Sequence, residues 1–295
     1  MQIVITGGTG FIGSALTSAL VERGDTVTIL TRGQVSSDGP VRHINNLDDM
    51  PTDSKVDAVI NLAGASLADR RWSKSYKAEI TRSRIATTQA LVAFCQRLDT
   101  PPDVLLSASA IGYYGPRGDD KIDEKEPAGN CFSSNLCESW EAEALAAQGL
   151  GTRVCLLRLG VVLDRQGGAM TEMARPFKFG VANWIGSGSQ WLSWVHRRDV
   201  VAAMLWLMEK PDASGPYNLT APEPVTSRGF CEAMKRHTRT FLTLPMPAAA
   251  MRLLVGEMAD ELLITGQRVV PARLLAEGFN FQYSDIDAAL KELLG

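Results

Sequence analysis

Along the first 160 positions, short runs of consecutive apolar residues alternate with longer stretches whose apolar positions recur every three or four. Residues 2–6 (QIVIT) form a β-rich run, followed by a glycine-rich turn and an amphipathic stretch over 11–23. Gly24–Asp25 then turns the chain into a second strand, 26–30 (TVTIL), and a third apolar run spans 57–64 (DAVINLAG). Over 75–98 the positions Ile85, Thr88, Val92 and Cys95 fall at helical spacing. Pro101–Pro102 stops that helix before another buried strand, 104–109 (VLLSAS). A helix over 132–148 and a strand over 153–160 (RVCLLRLG) complete the series. Near-continuous apolar strands separated by helices predict a parallel, doubly wound α/β sheet covered on both faces.

The pattern changes after Gly160. Gly167, Gly168, Gly180, Gly186 and Gly188 divide the chain into what reads as loops up to Val195. A helix over 198–208, a strand-like YNL at 217–219 and an amphipathic helix over 227–237 follow. The last fifty residues are mainly helical in composition. We therefore divide the chain into an α/β half, 1–160, a region interleaved with it, 161–244, and a helical C-terminal region, 245–295.

Composition narrows the class. Of 295 residues, 45% are hydrophobic and 21% charged, which excludes a disordered chain. The net charge of −3 offers no electrostatic argument for nucleic acid or an anionic membrane. The apolar N-terminus lacks the basic start of a signal peptide, and glycines interrupt it. No run of about 18 apolar residues predicts a membrane span. Five scattered cysteines without a CxxC pair read as reduced thiols, so the expected compartment is the cytoplasm.

Position, rather than the count of 26, gives the glycines meaning. Gly8-Thr9-Gly10-Phe11-Ile12-Gly13 fits GxGxxG, and Gly7, Gly10 and Gly13 fit the related GxxGxxG spacing. The motif follows a strand and opens a helix, the context of the Rossmann fold. The first glycines allow a tight turn and close approach to a pyrophosphate, and the helix N-terminus supplies free N–H groups. At the end of the second strand stand Thr31 and Arg32, where an acidic residue would bind ribose hydroxyls and repel a 2′-phosphate. A guanidinium there suits a phosphate dianion, so NADP is the expected cofactor.

TGGTGFIG (6–13), TR (31–32), DAVINLAG (57–64) and LLSASAIGYYG (105–115) together resemble the extended short-chain dehydrogenase/reductase superfamily. RRW (70–72), SRIATTQ (83–89), WEAEA (140–144), LRLGVVL (157–163), IGSG (185–188) and WVHRRD (194–199) resemble its atypical "epimerase family protein" subgroup. The tail GQRVVPARLLAEGFNF (266–281) is similar to that subgroup's C-terminal domain of unknown function. The resemblance implies that Thr9 to Ile12 lie against the pyrophosphate, and Thr31 and Arg32 against the 2′-phosphate ribose. It places Leu62 and Ala63 beside the adenosine, with Glu79 and Arg84 on the helix behind.

Active members of that superfamily use a Ser and a Tyr-x-x-x-Lys. Ser109 occupies the Ser position. The following helix offers Phe132 and Leu136 in one alignment and Ser133 and Cys137 in another, so neither supplies Tyr or Lys. Tyr113 and Tyr114 are the nearest phenols, readable as replacement acids or as packing residues. His196 reads as a substrate contact, a proton donor or a structural histidine. Gln190, Trp191 and Trp194 are further candidates to line the pocket. No GxSxG elbow, P-loop or metal-ligand spacing is present.

The reading is an NADP(H)-binding oxidoreductase or epimerase acting on a small polar substrate, a sugar nucleotide by resemblance, with 1–160 as the dinucleotide-binding domain and 161–244 as the substrate-side region. The rival is a catalytically inactive NADP(H)-binding regulatory or scaffold protein. The expected partner is the small-molecule substrate, with neither nucleic acid nor membrane; a homodimer is left open.

Overall fold

The computed structural model describes residues 1–33 and 37–295. Seven parallel strands form the main sheet: β1 (Gln2–Thr6), β2 (Thr26–Leu30), β3 (Val41–Ile44), β4 (Ala58–Asn61), β5 (Val104–Ala110), β6 (Arg153–Leu159) and β7 (Gly215–Leu219). Their order is β7-β6-β5-β4-β1-β2-β3, and Ser37–Asp38 runs antiparallel to β3 at the edge. This is a Rossmann-type α/β fold. The sequence pattern missed β3 because only Ile44 of its four residues is buried.

Helices α1 (Phe11–Glu22), α2 (Lys74–Arg97), α3 (Phe132–Leu145), α4 (Ala169–Lys178), α5 (Arg197–Glu209) and α6 (Ser227–His237) follow in chain order; α1, α2, α3 and α5 cover the sheet, while α4 and α6 pack apart from it. The strands alternate which face each residue serves. Ile3, Ile5, Ile60 and Leu106 share one core with Leu16 and Leu20 of α1 and Met204 and Leu207 of α5. Val4, Val59 and Leu105 share the opposite core with Leu91 and Phe94 of α2 and Ala144 of α3. Burial on both faces explains the nearly continuous apolar runs.

The expectation of loops from 161 to 195 needs correction. Val161–Asp164 and Trp194–His196 are paired parallel strands, and α4 lies between them. Met170, Ala174 and Phe177 are buried at helical spacing, but glycines at both ends and Pro176 inside obscured it. These residues pack with Trp194, Phe230 and Met234 of α6, and with Ala289, Leu290 and Leu293 of the final helix, Ile286–Leu294, as a second core.

The C-terminal region returns to the main body rather than hanging from it. Arg268–Val269 pairs in parallel with Lys121–Ile122, and Met258 packs with Trp72, Tyr76, Ile80 and Leu136. Among the described residues no helix is long and apolar enough to cross a membrane.

Candidate functional site

The strand order reverses around β1, whose neighbours are β2 and β4. In such sheets ligands bind beyond the carboxyl ends of the strands at this switch point. The glycine turn occupies it. Gly7 adopts φ +71°, and a Cβ there would lie 2.7 Å from Leu62 C and O. A Cβ on Gly13 would lie 2.1 Å from Gly7 O. Gly10 N donates to Gly7 O at 2.9 Å, and Gly10 caps α1 without a side-chain hydrogen bond. The turn therefore leaves the first N–H groups of α1 to a ligand, with Thr9 and Gly10 exposed above them. That cradle fits a dinucleotide pyrophosphate.

Arg32 stands exposed at the end of β2 and makes no ion pair among the described residues. Asn45 holds its turn by donating to Thr31 O at 2.7 Å and to Gly33 O at 3.0 Å. Leu62 and Ala63 follow β4, half-buried beside Gly7. Arg84 is wedged beneath this loop, donating to Ala65 O and Ile80 O at 3.1 Å, with Trp140 5.2 Å from its guanidinium. No carboxylate pairs with Arg84 among the described residues, and burial lowers its pKa. Glu79 is half-buried, 4.0 Å from Arg70.

Polar residues cross the sheet's carboxyl edge in two rows that register alignment creates. Thr6 pairs with Asn61, and Asn61 with Ser107. Thr6 Oγ1 donates to Asn61 Oδ1 at 2.8 Å, while Asn61 Nδ2 donates to Thr88 Oγ1 at 2.8 Å and Ser107 Oγ at 3.4 Å. Two residues further along, Ser109 is in register with Arg158, and Arg158 with Asn218. Arg158 grips Glu141 of α3 with both ends of its fork, each at 2.8 Å. Ser109, only 2% exposed, donates its proton to Glu141 Oε1 at 2.7 Å.

The two tyrosines separate. Tyr114 is fully buried; its hydroxyl receives Arg158 Nη1 at 2.9 Å and donates to Asn218 Oδ1 at 2.7 Å. Burial pushes its phenol up to about 12. Tyr113 is half-buried, its ring centroid 3.5 Å from the Arg158 guanidinium carbon. Its hydroxyl makes no hydrogen bond among the described residues.

Helix α3 separates the two candidate registers, Ser133/Cys137 and Phe132/Leu136, onto different faces. Ser133 and Cys137 face β5 and the turn after it: a Cβ on Gly112 would meet Ser133 Cβ at 3.1 Å, and Cys137 lies against Ser109 and the Ala110 backbone. Burial pushes the Cys137 thiol up to about 11. Phe132 and Leu136 instead pack toward Trp72 and Met258. Glu261 caps the helix, accepting Phe132 N at 3.2 Å, Ser133 N at 2.9 Å and Ser133 Oγ at 2.6 Å.

His196 is sealed rather than open to the cleft. It is 0% exposed, its Nδ1 accepts Arg198 N at 3.1 Å, and its Nε2 meets Glu292 at 3.1 Å. Tyr283 stacks on it at 3.9 Å. Burial outweighs Glu292 and lowers its pKa. With both nitrogens engaged it caps α5, and no hydrogen bond joins it to Ser109, Tyr113 or Tyr114 among the described residues. Gln190 bridges Ile185 O and Leu263 O at 3.0 Å each, Trp191 donates to Asp119 at 2.8 Å, and Trp194 is core.

Sequence reasoning missed Asn61, Glu141, Arg158 and Asn218. A signal existed: a polar residue inside each apolar strand, as in LLRL and VINL, is costly unless paired.

The NAD dependent epimerase/dehydratase family model matches residues 3–220, and a domain of unknown function, DUF1731, matches 246–293. The chain belongs to the NAD-dependent epimerase/dehydratase family. An epimerase family protein of Staphylococcus aureus is 38% identical over 300 residues, covering 99% of both chains. Another from Mycobacterium tuberculosis is 40% identical over 291 residues, covering 98% of this chain and 96% of its own. The crystal structure of human epimerase family protein SDR39U1 (isoform 2) with NADPH superposes with a TM-score of 0.89. It is 33% identical, with 100% of this chain and 99% of that one covered. A nucleoside-diphosphate sugar epimerase from Corynebacterium glutamicum gives 0.81 at 28% identity, covering 100% of this chain and 58% of that one. The family is NAD(P)-binding, which agrees with the glycine cradle.

Proposed function

We propose that this protein is an NADP(H)-dependent oxidoreductase or epimerase acting on a small polar substrate, with a sugar nucleotide as the substrate class. The observation that carries the cofactor choice is Arg32, exposed at the end of β2 in a turn that Asn45 pins through the Thr31 and Gly33 carbonyls, where a ribose-binding carboxylate would exclude NADP. The NADPH bound to the human relative supports it. The backbone from Gly7 and Thr9 through Gly10, Phe11 and Ile12 to Gly13 holds the pyrophosphate. Thr31 and Arg32 hold the 2′-phosphate, Leu62 and Ala63 border the adenosine, and Glu79 and Arg84 support that wall. When bound, the cofactor supplies hydride transfer.

Among the candidate acids, Tyr113 is the phenol with an uncommitted hydroxyl, so we assign proton transfer to it. Ser109 positions the polar cluster behind it, while Tyr114 and His196 serve as anchors. The sugar-nucleotide class rests on neighbours whose crystal structures contain UDP-glucuronic acid or UDP-glucose. Five free cysteines, four of them buried, fit a reducing cytoplasm.

A specific observation favours a second reading, a non-catalytic NADP(H)-binding protein: Ser109 spends its proton on Glu141. Titration with NADPH and NADH tests the cofactor, with NADPH expected to bind at least about tenfold tighter. Equal or tighter NADH binding overturns it. Reduced-nicotinamide absorbance followed with a panel of UDP-sugars tests oxidoreductase turnover, and chromatographic separation of the sugar epimers tests epimerase turnover, which returns the hydride and leaves no net change in the nicotinamide. Neither an absorbance change nor a new epimer with any substrate, in wild type and Tyr113→Phe alike, supports the non-catalytic reading.

A further inference from the structure

The WVHRRD segment contains a residue that the cofactor reading does not use. Arg197, the first residue of α5, reaches back to the glycine turn. Its Nη1 donates to Phe11 O at 3.1 Å, its Nε faces Asp164 Oδ2 at 3.0 Å, and its Nη2 donates to Gln166 at 3.3 Å. Both Arg197 and Asp164 are largely buried, so this is not a solvated surface pair. The guanidinium carbon also lies 5.1 Å from the centre of the Phe11 ring.

The Phe11 side chain departs from the turn it belongs to. Its ring lies on the hairpin formed by Val161–Asp164 and Gly167–Gly168. A Cβ on Gly168 would approach the ring to 2.8 Å, and one on Gly167 to 3.2 Å. Any side chain there would push the ring away, so the glycine pair is a flat seat for it. Gly168 is also the N-cap of α4, with φ +66°. One aromatic ring thus touches the hairpin, the start of α4 and the guanidinium at the start of α5.

We propose that Arg197 is a positioning residue that clamps Phe11 onto the Gly167–Gly168 seat. Through this clamp, dinucleotide binding at the glycine turn orders the substrate-side segment 161–178. Phe11 opens α1, so its backbone is part of the surface that receives the phosphates, while its carbonyl and ring are fixed by residues beyond Gly160. The inference rests on the dinucleotide reading of the turn and adds a partner region to it. It also gives Arg197 of WVHRRD a task at the cofactor end of the cleft.

The test combines NADPH titration with amide hydrogen exchange on the full chain. In wild type, NADPH is expected to slow exchange in both 7–14 and 161–178. Arg197→Met is expected to weaken NADPH about tenfold. It should retain the slowing in 7–14 and lose it in 161–178. Phe11→Leu keeps the backbone carbonyl and is expected to lose the same distal protection. Arg197→Lys keeps the charge without the fork and should recover only part. Arg165→Met removes a contact to Glu292 O alone and should match wild type. An Arg197→Met protein that still protects 161–178 on NADPH binding overturns the inference. Failure of wild type to bind either dinucleotide overturns the cofactor reading instead, separating the two outcomes. If Arg197→Met does not fold, Phe11→Leu and Arg197→Lys decide by the same exchange pattern.

Discussion

The glycine turn after β1 and the polar cluster around Ser109 lie on one edge of one sheet, but they are made of different materials. The turn is backbone: its function follows from the side chains it lacks. The cluster is entirely side chain, and its members come from β5 and the turn after it, β6, β7 and α3. A turn of this kind can be read from eight consecutive residues, because steric exclusion is local. The cluster cannot, because Asn218 reaches Tyr114 across 104 positions. The two regions also contribute differently: the backbone cradle leaves room for a pyrophosphate, and the buried side chains fix the polar groups beside it.

Substitutions can test that contrast. The largest expected effect is Gly13→Ala, whose new methyl group would overlap Gly7 O at 2.1 Å. Overpacking against backbone predicts a loss of about a hundredfold in dinucleotide affinity, measured by titration. Affinity within about threefold of wild type would show that the turn deforms freely.

In the cluster, Glu141→Gln or Arg158→Met should each destabilise the fold by about 3–5 kcal/mol in urea unfolding, since a buried charge loses its partner. The double variant Glu141→Met/Arg158→Met should recover much of that loss, because the cost lies in the orphaned charge. A double variant as weak as the sum of the singles would contradict this account.

Glu261→Gln should cost about 1 kcal/mol, as expected for a carboxylate capping a helix start. Unchanged unfolding would show that water caps α3 equally well.

The smallest effect concerns pH. Burial lowers the His196 pKa below its ordinary 6.5 against the opposing pull of Glu292 and Asp199. The unfolded chain therefore binds the proton more readily, and this contribution to stability is present above pH 6.5 and fades on acidification. Replacing His196 with Asn should flatten the stability profile just below pH 6.5, as followed by thermal unfolding from pH 7 to 5.

What could be read in advance follows the same division. Gly7, Gly10 and Gly13 declared the turn, and the apolar runs declared the parallel sheet and its buried strands. Arg32 was conspicuous because a charge replaced an expected acid at a defined place. Arg158 lay inside RVCLLRLG without being singled out, since its partner Glu141 becomes visible only when α3 packs on β6. His196 looked available beside a glycine-rich stretch, but Tyr283 and Glu292, nearly a hundred residues later, enclose it. Helix α4 was hidden because glycines mark its ends as strongly as they mark loops.

The Glu261 cap has a consequence for how the protein is made. Synthesis proceeds from the N-terminus, so α3 leaves the ribosome long before residue 261 exists. Until then the Phe132 and Ser133 amides lack the carboxylate that completes them, and Leu136 lacks Met258. A chain halted near residue 245 would carry the whole glycine turn and every strand of the main sheet, with the start of α3 still uncapped. Glu261 thus finishes, from 128 residues further along the chain, the start of a helix made long before it.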